Sequence, residues 1–145
     1  MPEDNPFEGS LVYSLGHRNV QGLAWDSDGE MYAGQFGQGT WDGLNRIEAG
    51  ADYGWPDVED AGGDPEYVDP LTTWTTAEAS PSGLEIVDDV AYIAALRGQR
   101  LWTVPVLGGG PEAVLEGGLG RTRTVEAAPD GWLWVTTMRF PPLDG

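Results

Sequence analysis

Three stretches of the chain repeat one arrangement of apolar and polar positions. They read GLAWDSDGEMYAGQF from Gly22 to Phe36, GLEIVDDVAYIAAL from Gly83 to Leu96, and TVEAAPDGWLWVTT from Thr124 to Thr137. In each, a short apolar strand meets an acidic or Asp-Gly turn, and a second, alternating strand follows. Alternation with a period of two puts every other side chain on one face of a sheet. Asp-Gly suits the positive-φ positions of a tight hairpin. The three stretches therefore predict three β-hairpins. Leu23, Trp25, Met31, Trp132, Trp134 and Val135 are their half-buried strand positions. Trp25, Trp102, Trp132 and Trp134 are expected in the core.

Further strands are predicted at Leu44 to Ile47 and Arg100 to Val106, with Val12 to Leu15 as a candidate. Segment 111–116 (PEAVLE) suits a strand or one helical turn, and the strand is favoured. The second and third Asp turns, at Asp89 and Asp130, stand 41 positions apart. That spacing fits one propeller blade of roughly 40–50 residues. The first interval is longer because of residues 49–80, rich in Gly, Pro, Asp and Thr, which read as a long surface loop. The expected fold is all-β: about three four-stranded antiparallel blades, forming one unit over residues 1–145. A set of blades this short leaves strand edges open, with few Lys or Pro on the strands to protect them, which argues for a partner or for poor stability alone.

Composition narrows the chemistry. With 40% hydrophobic residues in 145, the chain can build a core. There is no Cys, which excludes disulfides, thiolate zinc sites and a thiol nucleophile. The formal net charge is −17, from 24 acids against seven bases, all of them Arg (18, 46, 97, 100, 121, 123 and 139). Such a field disfavours nucleic acid and anionic membranes as partners. It suits a hydrated acidic surface of the halophilic type. The N-terminal MPEDNPFEGS has neither the basic nor the apolar region of a signal peptide, and no apolar run reaches membrane-spanning length. In an acidic chain without Lys, paired Arg in turn regions are suited to hold an anion.

Four motifs follow one another: GHRNVQG (Gly16 to Gly22), DYGWP (Asp52 to Pro56), AALRGQRLW (Ala94 to Trp102) and GRTRTVEAAPDG (Gly120 to Gly131). In this order and spacing, from about Asn5 to Thr137, the chain resembles the C-terminal half of the soluble quinoprotein glucose/sorbosone (aldose sugar) dehydrogenase family. The resemblance implies a partial six-bladed β-propeller. It implies oxidation of aldose sugars by hydride transfer to pyrroloquinoline quinone (PQQ) beside calcium, with the N-terminal propeller half or another chain completing the propeller. The family usually works in the periplasm or outside the cell.

By the same resemblance, Arg18 and Asn19 are the first cofactor contacts, Arg97 faces the quinone, and Arg121 and Arg123 clamp its carboxylates. Spacing i, i+2 on a strand puts the last two on one face. Gly37 and Gln38 match residues whose carbonyls help hold calcium, and carbonyl oxygen suits a hard cation. Trp74 matches an aromatic lining the sugar pocket. Gly43 stands where many relatives carry a Glu of a second, structural calcium site, which puts that site in doubt, although the Tyr53 carbonyl is still available. Each Arg has the plainer alternative of pairing with a local acid, and Trp74 that of packing in the core. Trp55 reads as a loop anchor. The acids Asp57, Glu59, Asp60, Asp64, Glu66 and Asp69 do not fit an EF-hand and read as a solvated loop.

The family's catalytic base is a His in the N-terminal blades. The single His here, His17, matches a flanking turn position, so the chain alone is expected to lack a catalytic residue. Two other readings stay open. One is a non-catalytic half-propeller binding a cation, an anionic ligand or a sugar. The other is an unrelated propeller-like interaction domain.

Overall fold

The computed structural model describes residues 5–59 and 62–138. Ten strands account for its regular structure: β1 (Asn19–Trp25), β2 (Met31–Phe36), β3 (Trp41–Ile47), β4 (Thr72–Thr75), β5 (Pro81–Val87), β6 (Val90–Ala95), β7 (Arg100–Pro105), β8 (Glu112–Val114), β9 (Arg121–Ala127) and β10 (Leu133–Met138). They form two four-stranded sheets, β1-β2-β3-β4 and β5-β6-β7-β8, and the two-stranded sheet β9-β10. Neighbouring strands are antiparallel throughout. No helix occurs among the described residues, so none is long and apolar enough to cross a membrane.

The three repeats become β1-β2, β5-β6 and β9-β10. Asp88 and Asp89, at φ 51° and 58°, make the two-residue turn between Val87 and Val90, with the positive φ pair of a primed hairpin. A register shift recurs at one place in each repeat: between Val20 and Gly22, between Pro81 and Leu84, and opposite Thr136–Thr137 on β9. The first strands of the three sheets, β1, β5 and β9, pack side by side. Their contact is close enough to exclude a side chain at Gly83. A Cβ there would lie 2.8 Å from the Cα of Thr124 and 2.9 Å from the amide of Val125. Gly22 meets β5 in the same way, against the carbonyl of Ser82.

The main core fills the junction of the first two sheets. Tyr32, Leu44 and Trp74 meet Leu84, Ile93, Trp102 and Val104 there. Along β5, Leu84 and Ile86 are buried while Glu85 between them is not, the alternation the sequence implies. A smaller cluster (Ala94, Leu101, Val125) ties β9 to the second sheet. Thr122, fully buried, reinforces it: its hydroxyl accepts from the Ala95 amide at 2.8 Å and donates to the Arg100 carbonyl at 2.5 Å.

The structure departs from the expected pattern in three places. Trp102 is in the core, but Trp25, Trp132 and Trp134 are 55%, 73% and 69% exposed, and Trp132 lies just ahead of β10 rather than in it. Alternation tells which face a side chain is on, not whether that face is covered, and among the described residues no further sheet covers these faces. Residues 49–80 are not all surface loop. Thr72–Thr75 pair with β3 as the fourth strand, and Tyr53, Trp74 and Ala79 are buried. The β-branched run TTWT carried that signal. Val12 to Leu15 forms no strand; Leu15 makes one isolated parallel bridge, to Asp52.

Candidate functional site

The site begins where two of the sequence motifs meet. The Leu15 amide donates to Ala51, Tyr53 to Leu15, and Trp55 to Gly16, at 2.8, 3.1 and 2.9 Å. GHRN and DYGWP are thereby zipped together just before β1. His17 stacks on Tyr53, with ring centroids 4.6 Å apart, and its Nε2 hydrogen-bonds Ser14 Oγ at 2.8 Å. Burial pushes the imidazole below its ordinary pKa, against the raising influence of Gln35 and Asp52. His17 is therefore a neutral wedge under the turn, and it leaves Arg18 on the surface. The Arg18 guanidinium lies over the Trp55 ring, 5.6 Å from its centroid, and donates to the Phe36 carbonyl at 3.4 Å.

Arg18 is one wall of a hollow of about 270 Å³ whose other walls include Gly37, Gln38, Asp42, Ser80 and Arg97. Arg97 comes from the turn after β6. Its Nη1 donates to Thr76 Oγ1 at 3.4 Å, and Thr76 lines the same space. Four of the residues singled out in the sequence, Arg18, Gly37, Gln38 and Arg97, thus surround one cavity between the first and second sheets. Asp42 braces it from beneath. Its carboxylate accepts from the Gly37 amide at 3.1 Å and the Ser80 amide at 2.7 Å. Burial raises the Asp42 pKa, against the lowering influence of those two amides and Arg97.

Electrostatics single out the arginines. Arg46 pairs with Glu30 and Arg100 with Glu116, each at 3.0 Å. Among the described residues, no carboxylate comes within 4.0 Å of Arg18, Arg97, Arg121 or Arg123. In a chain of net charge −17, cations left without acids are free to take an anion. The donor set in the hollow fits a polycarboxylate. For a cation the fit is narrower. No group of three or more His, Asp or Glu is gathered among the described residues, so backbone carbonyls are the oxygens on offer.

The other candidates lie elsewhere. Asn19 opens β1 beside Arg18; its Oδ1 accepts from Gln21 Nε2 at 2.7 Å, and it is not among the hollow's walls. Arg121 and Arg123 are exposed on β9, flanking the buried Thr122, and do not line the hollow. Trp74 is 4% exposed and packs on Trp102 at 5.7 Å, so its ring stands in the core. Gly43 is buried with Pro70 over it, and the amide of Asn45 beside it is buried without a partner. Asp60 of the acidic loop and Arg139 lie outside the described residues.

Sequence reasoning missed three contributors. Asp42 and Ser80 gave no signal apart from lying near matched positions. Glu59, read as one acid of a solvated loop, accepts from the amides of Gly39, Thr40 and Trp41 at 2.7, 2.9 and 3.3 Å. Nothing in the sequence distinguishes it from Asp57 or Glu66.

Comparison with known proteins bears on what this arrangement does. The family profile described as Glucose / Sorbosone dehydrogenase matches residues 1–140. The PQQ-bound aldose sugar dehydrogenase of Streptomyces coelicolor superposes with a TM-score of 0.87 and 51% identity, over 93% of this chain and 42% of that one. Quinoprotein glucose dehydrogenase B of Acinetobacter calcoaceticus is 46% identical over 61 residues, which are 40% of this chain and 13% of the relative. An uncharacterized protein of Synechocystis is 41% identical over 104 residues, 59% of this chain and 25% of its own length. The chain thus spans less than half of each of these relatives.

Proposed function

The chain belongs to the glucose/sorbosone dehydrogenase family, and from that membership we propose that it supplies the cofactor-binding half of a PQQ-dependent aldose dehydrogenase. The observation that carries the reading is the hollow between the first two sheets. Two arginines without acidic partners among the described residues, Arg18 and Arg97, face it together with Gly37 and Gln38. Their guanidinium groups hold the carboxylates of the quinone. Trp55, in the neighbouring recess, supports the Arg18 guanidinium with its ring. Gly37 and Gln38 contribute carbonyl oxygens to a calcium ion. Arg121 and Arg123, with Asn19, complete the anion contacts from the starts of β9 and β1. Bound there, PQQ supplies the hydride acceptor for the sugar's oxidised carbon.

The catalytic base belongs to the other part of the propeller. His17, the chain's single His, is committed to Ser14 and Tyr53. The exposed apolar positions Leu23 and Trp25 on β1, and Trp132 and Trp134 at β10, support blades that cover both ends of the arc. That completed propeller is where the sugar docks; the buried Trp74 acts in packing.

The reading is tested by reconstitution. Mixed with a chain carrying the N-terminal blades, PQQ, calcium and an aldose, this chain should reduce an artificial electron acceptor, and Arg97→Ala should remove most of that activity. A reconstituted propeller that takes up PQQ but never turns over sugar would favour the second reading, a non-catalytic binding module. The commitment of the lone His to structural contacts is the observation in that reading's favour.

A further inference from the structure

The turn between β2 and β3 carries Gly37 and Gln38 into the hollow, yet it has little to hold its own shape. Residues 38–40 are exposed, and two of its positions are Gly. It is gripped from two sides. On one side the Thr76 amide donates to the Thr40 carbonyl at 3.2 Å, and the Thr76 hydroxyl to the Gly39 carbonyl at 3.3 Å. Thr76 in turn accepts from Arg97. On the other side the amides of Gly39, Thr40 and Trp41 converge on a single oxygen, Oε1 of Glu59, from 18 to 20 residues further along the chain. Successive amides aimed at one point form an anion nest, and here the chain's own carboxylate fills it. The fit is tight. A Cβ at Gly37 would lie 2.8 Å from that same oxygen. Glu59 also shares a recess with Arg18 and Trp55.

We propose that Glu59 is a positioning residue for the hollow: its carboxylate holds the turn from Gly37 to Trp41 in the shape that presents Gly37 and Gln38, and through Thr76 it steadies Arg97. The inference rests on reading the hollow as the quinone site. Burial raises the Glu59 pKa, but the backbone amides outweigh it and the net shift is downward, so the latch is a carboxylate at neutral pH.

The sign of the effect separates this role from two others. A carboxylate near an anion site repels the anion, so a residue acting through charge alone would give tighter PQQ binding when neutralised. A latch gives weaker binding when the oxygen is removed, and none of that loss when a neutral oxygen remains in place. Calorimetric titration of PQQ with calcium into the wild type, Glu59→Ala and Glu59→Gln tests this, with amide exchange at residues 39–41 followed in parallel. Glu59→Ala is expected to bind PQQ about tenfold more weakly, in the range of lost supporting contacts behind a site, with faster exchange at 39–41. Glu59→Gln should bind within a few-fold of the wild type. Unchanged or tighter binding by Glu59→Ala overturns the positioning role. Unchanged exchange overturns the latch itself. A wild type that takes up no PQQ overturns the cofactor reading and the positioning role together, while the exchange data still decide whether Glu59 holds the turn.

Discussion

One repeat unit serves two different ends of this molecule. In the second sheet the hairpin β5-β6 is walled on both faces, and Ala91, Ile93, Ala94 and Ala95 are fully buried. In the third sheet the matching hairpin β9-β10 has Val125 and Thr122 against its neighbour, and Trp132 and Trp134 in solvent. The local sequence logic is the same: alternating strands, an acidic turn and a register shift at one position. What differs is the company each hairpin keeps. The difference extends to chemistry. Arg18 and Arg97 belong to the first two sheets and share a hollow that packing has already shaped, whereas Arg121 and Arg123 stand on a two-stranded sheet with one face open. On the proposed reading, Arg18 and Arg97 sit in the packed part of the chain, whereas Arg121 and Arg123 stand exposed on β9.

The sharpest way to break this contrast begins in the walled hairpin. Ile93→Ala removes a fully buried side chain from the walled hairpin and should cost about 2–5 kcal/mol of stability, read as a lower denaturant midpoint. Next comes Gly83→Ala, where the new methyl would meet the β9 backbone. It should cost about 1–3 kcal/mol, and amide exchange should accelerate in β9-β10 before the first sheet. If both sheets open together, the third is not the separable part.

A smaller effect follows from His17. Burial lowers its pKa, so below about 6.5 the unfolded chain binds a proton that the folded chain resists. Stability should be complete above that value and should decline as pH falls through it toward the folded pKa. Because the chain has one His, the melting temperature of His17→Phe should lose that slope between about pH 7 and 5. The smallest effect belongs to Trp134→Ala, within about 0.5 kcal/mol in the chain by itself, and on the proposed reading it should grow when a chain carrying the N-terminal blades is added.

Much of this was legible beforehand because hairpins are local. The three repeats, their turns and β7 can be read from alternation and Asp-Gly chemistry alone. So could the gathering of Arg18, Gly37, Gln38 and Arg97, once motif order was matched to a family. Coverage was not legible. Trp25, Trp132 and Trp134 alternate like core residues, and nothing in their neighbours says that their faces stand exposed. β4 was hidden because a Thr-rich strand after a Gly- and Pro-rich stretch looks like more loop. Glu59 was hidden because its partners are backbone amides of a distant turn, which no side-chain pattern announces. Trp74 shows the limit of matching by position, since its ring is enclosed by Trp102 and the sheet junction.

The central claim is that unpaired arginines around a preformed hollow bind the quinone. Titration of PQQ with calcium into the wild type, Arg97→Ala and Arg46→Ala tests it most directly, because Arg46 carries the same charge but is already paired with Glu30. The account predicts saturable binding by the wild type and by Arg46→Ala, and a loss of about tenfold or more in Arg97→Ala. Equal weakening in both variants would mean that overall charge, not the hollow, holds the anion, and undiminished binding by Arg97→Ala would contradict the account outright.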